Sequence, residues 1–186
     1  MNKAPLDTSS SIDWLNSGKI LVHPTESIWG LGCDAFNKTA VNNIFKLKKR
    51  DKKKKFILLA SSIDSVEKNL CYLSKTDKEY LSDYWPGPYT FLIKYKENIP
   101  NHLKNDTNKL AIRVSNHLPL KALFKTFNGF IVSTSANISG KKIINDAHNI
   151  IDFFEYDDLA YYDESLGENN SASKIIDLES KAIIRA

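Results

Sequence analysis

Arginine is scarce in this sequence. Lys and Arg total 26 of 186 residues, yet only Arg50, Arg113 and Arg185 are arginine. Such a bias reads as the codon usage of an AT-rich genome, so each surviving arginine points to a place that lysine cannot fill. Arginine offers a planar fork of donors that grips a carboxylate or phosphate twice. Cysteine is scarcer still. Cys33 and Cys71 are far apart, with no CxxC and no Cys/His ligand spacing, which excludes a disulfide framework and a zinc site. The four histidines, His23, His102, His117 and His148, form no HExxH and are read as surface or structurally satisfied side chains. No apolar run approaches the ~18 residues that span a bilayer. Residues 1–11 carry no apolar stretch of the secretory kind, so a cytoplasmic protein with free thiols is expected. With 42% hydrophobic and 26% charged residues, the composition excludes disorder and collagen-like structure. The length suits one domain spanning residues 1–186.

What is present is a charge asymmetry. Lys46 to Lys55 reads KLKKRDKKKK, eight positive residues and one negative. Asp146 to Glu168 holds eight acidic residues and no Lys or Arg. The acidic stretch is read as a solvated face. The basic run suits a polyanion, either nucleotide phosphates or RNA.

Apolar periodicity alternates strands with helices. Strands are expected at 19–23 (KILVH), 56–60 (FILLA), 89–95 (YTFLIKY), 110–114 (LAIRV) and 130–133, with short ones near 159–162, 174–177 and 182–185. Helices are expected at 10–16, from a cap at Thr39, from Ser62, from a Thr76/Glu79 capping box, at 117–127 and at 146–154. Residues 24–32 and 134–140 read as loops. This implies an α/β (α+β) domain with a mixed sheet.

Three motifs carry possible chemistry. The first, Pro24-Thr25-Glu26-Ser27-Ile28-Trp29-Gly30-Leu31-Gly32, follows a strand and sets two hydroxyls, a carboxylate and two glycines together. The second, Lys48-x-Arg50-x-x-x-Lys54, lies at a helix exit and offers three cations, enough for a triphosphate. The third, Ser133-Thr134-Ser135-Ala136-Asn137-Ile138-Ser139-Gly140, is a dense set of donors and acceptors after a strand. Its tail, Ser139-Gly140-Lys141, is not a Walker A: position 135 is Ser where Gly is required, and position 142 is Lys where Ser or Thr is required. Arg113, on a strand among apolar neighbours, needs a carboxylate from a ligand or from the chain itself. No residue stands out as a general base, Glu26 being the one candidate the sequence offers without further support.

PTESIWGLG, KKRDKKKK, WPGPYTF, LAIRV, STSANISG and SKIID occur in that order before the terminal Arg185. In this order the chain resembles the YrdC/TsaC family of threonylcarbamoyl-AMP synthases in their short bacterial form. The resemblance implies a twisted mixed sheet flanked by helices, with a concave basic pocket. It implies a nucleotidyltransferase that makes threonylcarbamoyl-AMP and pyrophosphate from L-threonine, bicarbonate and ATP, with Mg2+ carried by ATP. The product would serve threonylcarbamoyladenosine formation in tRNA, completed by partner proteins. Carried over by position, Lys48, Arg50, Lys54, Ser135, Asn137 and Arg185 would bind ATP, with Lys48 and Arg50 catalytic. Thr25, Ser27, Arg113, Ser133 and Ser173 would bind threonine. Asp51 and Lys55 replace prolines of the pattern, which leaves the basic loop less constrained. The alternative reading is a module that binds tRNA or double-stranded RNA through the same lysine run.

Overall fold

A computed structural model describes residues 5–168 and 173–185. Helix α1 (Thr8–Asn16) is capped by Asp7, which accepts from the Ser10 amide. Strands β1 (Ile20–Pro24) and β2 (Trp29–Asp34) form a hairpin. Helix α2 (Lys38–Leu47) follows, then β3 (Ile57–Ala60), α3 (Ile63–Asn69), α4 (Lys75–Ser82) and β4 (Tyr89–Lys94). A 3-10 turn (Asn101–Leu103), β5 (Lys109–Val114), α5 (Leu118–Leu123) and β6 (Ile131–Ser135) come next. The chain closes with α6 (Ala147–Phe154), β7 (Leu159–Tyr161), β8 (Lys174–Asp177) and β9 (Ile183–Arg185).

Among the described residues nine strands join one mixed sheet in the order β7-β1-β2-β6-β3-β5-β4-β8-β9. Alternate residues along each strand point to opposite faces. One face carries Val22, Leu31, Leu58, Phe91, Ile112 and Val132, and packs in a large core with Val41, Ile44 and Phe45 of α2. The other face carries Leu21, Leu59 and Ile131, and packs with Leu15 of α1 and Leu120 and Leu123 of α5 in a smaller core.

The expected alternation of strands and helices and the mixed sheet are present. Several boundaries move. β2 replaces an expected loop, and Pro24 lies within β1. Asn37, not Thr39, caps α2, because its side chain accepts from the Ala40 amide. Ser74 with Asp77, not Thr76 with Glu79, forms the capping box of α4, while Ser62 caps α3 as expected. Helix α5 is confined to Leu118–Leu123. Both cysteines are buried free thiols. Among the described residues no helix is long and apolar enough to cross a membrane.

Candidate active site

Register decides which motif residues meet. Leu59 pairs with Arg113 and with Ile131, Ile57 with Ser133, Gly32 with Ser133, Gly30 with Ser135, and His23 with Gly30. Paired residues share a face, so His23, Arg113, Ser133 and Ser135 all lie on the face of the smaller core. Thr90 of β4 lies on that face too: it is two residues from Leu92, which pairs with Ala111, itself two residues from Arg113. Thr90 Oγ1 is hydrogen-bonded to Ser173 Oγ at 2.8 Å.

The β1–β2 turn is closed by Thr25. Its hydroxyl donates to the Ile28 carbonyl at 2.7 Å and accepts from the amides of Ser27 and Ile28. Thr25 is thereby engaged within the turn, while Ser27 is half-buried beside it. The turn leaves Glu26 pointing at Arg113. Glu26 Oε1 meets Arg113 Nη2 at 2.5 Å and accepts from Ser115 Oγ at 2.6 Å. Arg113 Nε donates to the Gly87 carbonyl at 3.1 Å. An internal carboxylate therefore answers the largely enclosed arginine, one of the two partners the sequence allowed. Burial draws Arg113 below its ordinary range, and Glu26 pulls in the opposite direction.

Residues 163–168 lie over this turn. Gly167 donates its amide to the Thr25 carbonyl, and His117 Nε2 is 3.0 Å from the Ser165 carbonyl. A side chain at 167 would run into the Glu26 backbone at 2.7 Å, so glycine is what permits the approach. Beneath, His23 is fully buried, with Nε2 3.3 Å from Ser133 Oγ and Nδ1 3.2 Å from the Pro24 carbonyl. Burial holds the His23 imidazole down to about 4, against smaller upward pulls from Pro24 and Glu26.

Lys48, Ser135 and Asn137 come together as one unit. Lys48 caps the C-terminus of α2 and is 1% exposed. Its ammonium donates to the Asn137 carbonyl at 2.6 Å, to Asn137 Oδ1 at 3.2 Å and to the Ser135 carbonyl. Its own carbonyl accepts from the Ser139 amide. Ser135 Oγ donates to Asn137 Oδ1 at 2.7 Å. Burial lowers Lys48 to about 8, although three acceptor oxygens favour the charged form. Lys48 thus fastens the loop after β6, a task the sequence did not suggest.

Arg50 shapes the basic loop. Its Nε donates to the Lys54 carbonyl at 2.8 Å and its Nη2 to the Lys55 carbonyl at 3.0 Å, with the guanidinium over the Phe56 ring. Asp51, expected to leave this loop less constrained, instead turns it. Its carboxylate accepts from the Lys53 amide and its carbonyl from the Lys54 amide. The Lys54 side chain is exposed. At the far end of the sheet Arg185 grips Ser173, donating Nη2 to its carbonyl at 2.6 Å and its hydroxyl at 3.2 Å. Ser173 and Arg185, assigned from sequence to different ligands, are brought into direct contact.

A cavity of about 340 Å³ lined by Ser61, Ser62, Ile63, Asp64, Lys78, Trp85, Pro86 and Val114 contains none of these residues. It opens between α3, α4 and the sheet, on the opposite side of β5 from Arg113, so it is not the convergence described above.

The Sua5/YciO/YrdC family model, described as "Telomere recombination", matches residues 13–186. The chain belongs to the Sua5/YciO/YrdC family. The threonylcarbamoyl-AMP synthase of Acinetobacter baumannii is 37% identical over 185 residues, covering 95% of this chain and 96% of that one. That of Saccharophagus degradans is 39% identical over 172 residues, covering 92% and 90%. Among solved structures, P. abyssi Sua5 complexed with L-threonine superposes with a TM-score of 0.80 at 27% identity. The match covers 91% of this chain and 50% of that one, so the chain spans about half the length of that Sua5. E. coli YciO shares the fold, with a TM-score of 0.82 at 22% identity over 96% of this chain and 87% of its own.

Within this Sua5/YciO/YrdC domain, sequence reasoning passed over Ser115, read His23 only as a surface or structurally satisfied histidine, and offered Glu26 only as a candidate general base, not as the partner of Arg113. Glu26 had a signal: a carboxylate between two hydroxyls, just after a buried strand, in a chain where Arg113 needed a partner.

Proposed function

We propose that the chain is a threonylcarbamoyl-AMP synthase, a nucleotidyltransferase that converts L-threonine, bicarbonate and ATP into threonylcarbamoyl-AMP and pyrophosphate. The observation that carries this reading is the shared face of Arg113, Ser133 and Ser135, in a chain 37% identical to a protein of that name over nearly its full length. Several anions must meet for this chemistry. Two like unit charges 5 Å apart repel by about 3 kcal/mol at an effective dielectric constant near 20. Arg113 and the basic loop are cations suited to offset that repulsion.

In this reading Arg113 holds the threonine carboxylate, and Thr25, Ser27, Ser133 and Ser173 line the amino acid's surroundings. The threonine amine attacks bicarbonate with loss of water, or CO2 with loss of a proton, to form an N-carboxylate. That carboxylate attacks the α-phosphate in line, and pyrophosphate leaves. Arg50 and Lys54 stabilise charge growing on the phosphates, with Arg185 at the nucleotide's far side. Lys48, Ser135 and Asn137 hold the loop that orients the nucleotide, so catalysis is mainly positioning and electrostatics. Mg2+ would come with ATP as its counter-ion and would neutralise part of the phosphate charge. Among the described residues no three His, Cys, Asp or Glu side chains gather as a metal site. The product would pass to partner proteins that modify tRNA in the cytoplasm.

The test is to incubate the pure protein with ATP, bicarbonate and threonine and follow pyrophosphate. Omitting threonine is expected to abolish its release. Release that does not depend on threonine rejects the substrate assignment. Salt-sensitive binding of tRNA or double-stranded RNA without turnover would favour an RNA-binding module instead.

A further inference from the structure

Glu26 makes an incomplete set of contacts. Its Oε1 is fully engaged, meeting Arg113 Nη2 and accepting from Ser115 Oγ. Its Oε2 is buried and accepts no hydrogen bond from any described residue. An ionised carboxylate oxygen carries two lone pairs, and leaving it dry and unpaired is costly. The backbone that carries Glu26 is fixed. Thr25 locks the backbone on one side, and the Gly167 amide fixes the Thr25 carbonyl from above. Among the described residues Arg113 is likewise committed on one edge only, through Nε to Gly87 and Nη2 to Glu26. The pair thus presents one unsatisfied acceptor beside a guanidinium with an edge left to offer.

We propose that this Glu26–Arg113 pair is a receptor for a zwitterion, in which Glu26 Oε2 binds the α-ammonium of the amino acid while Arg113 binds its carboxylate. The proposal rests on the threonylcarbamoyl-AMP synthase reading and names the residue that selects an amino acid over a plain carboxylic acid. The electrostatics are direct. A bare carboxylate arriving at Arg113 meets the negative charge of Glu26 a few ångströms away and is repelled. A zwitterion brings its own cation to that charge, so the buried pair and the ligand neutralise one another, and the orphan oxygen gains a charge-assisted hydrogen bond. The other titratable groups that Glu26 influences are His23 and His117. Both ring systems are already hydrogen-bonded, to Pro24 and Ser133 and to Ser165, so neither completes Oε2. Holding the ammonium at Glu26 also fixes the nitrogen that, once it has given up a proton to solvent, attacks carbon, which makes Glu26 a specificity and positioning residue.

The experiment compares binding of L-threonine and of 3-hydroxybutyrate, which keeps the carboxylate and hydroxyl but lacks the amine, by titration calorimetry. Wild type is expected to bind threonine at least about tenfold more tightly. Glu26→Gln keeps the side-chain size and the contact with Ser115 but removes the charge. It is expected to weaken threonine about tenfold or more and to bind 3-hydroxybutyrate as well as wild type or better. Thermal melting confirms that the variant folds, and Glu26→Asp, with its charge retained, is expected to keep the preference for threonine. Equal weakening of both ligands by Glu26→Gln overturns the proposal, because that is what loss of a merely structural brace of Arg113 would do. Unchanged threonine binding overturns it as well. Pyrophosphate release by wild type separates the two levels: without threonine-dependent release the synthase reading falls and takes this proposal with it. Normal release combined with non-selective weakening sinks the Glu26 role alone.

Discussion

His23 is fully buried beside Ser133 and is held neutral, its imidazole titrating at about 4 instead of 6.5. The sign of the consequence follows from linkage. Between about 6.5 and 4 the unfolded chain binds a proton at His23 that the folded chain does not, so stability falls as pH falls through that window. The full loss is about 3 kcal/mol, and above 6.5 the residue contributes no pH dependence. His23→Gln removes the titration. In urea denaturation at pH 7 and at pH 4, the stability gap between wild type and variant is expected to shrink by about that amount. Parallel pH curves for the two proteins would show that His23 is not the buried neutral group described. The three arginines tell what sequence can and cannot say about single residues. Each does fork onto oxygens: Arg50 onto Lys54 and Lys55, Arg113 onto Gly87 and Glu26, Arg185 onto Ser173. Their scarcity marked them as irreplaceable by lysine, but most of the acceptors are main-chain carbonyls, and a carbonyl leaves no trace in a sequence.

At the scale of elements, the strands with continuous apolar runs were legible and β2 was not. Its sequence, WGLGCD, reads as a loop because two glycines dominate it. The reason for those glycines lies on the neighbouring strands. A Cβ at Gly30 would meet the His23 ring at 2.7 Å, and one at Gly32 would meet it at 2.8 Å. The glycines make room for an imidazole across the hairpin, a long-range constraint that local propensity cannot express. Gly32 is the less forgiving of the two, since its Cβ would also lie 2.9 Å from the Val132 carbonyl of β6, and a paired backbone cannot swing aside. Gly32→Ala is therefore expected to destabilise the fold by about 1–3 kcal/mol, read as a lower urea midpoint at unchanged slope. A loss under about 0.5 kcal/mol would mean that β6 can yield there. The same long-range logic explains the loop after β6. Its Ser-x-Asn pattern was visible as chemistry, but the Lys48 ammonium that fastens it comes from 87 residues earlier in the chain.

At the scale of the whole molecule, the net charge of +4 divides into a basic loop and an acidic C-terminal third. The structure separates the lysines of that loop by task. Lys48 is buried under the loop after β6, whereas Lys49, Lys52 and Lys53 are exposed and make no side-chain hydrogen bond or ion pair among the described residues. Exposed lysines of this kind contribute little to stability. Their collective field still acts on an approaching polyanion. Replacing Lys49, Lys52 and Lys53 together with Gln lowers the net charge from +4 to +1. A unit charge about 10 Å from another gains about 0.4 kcal/mol in water before screening. Against one unit of the nucleotide's net charge, the three lysines together amount to about 1 kcal/mol at low ionic strength. The triple variant is expected to melt within a few degrees of wild type and to keep its kcat. Its KM for ATP is expected to rise roughly fivefold in dilute buffer. In about 0.5 M salt, where charges are screened within a few ångströms, the two proteins are expected to converge. A difference in KM that persists at high salt would mean that these lysines touch the nucleotide directly. A fall in kcat would place them in the chemistry itself.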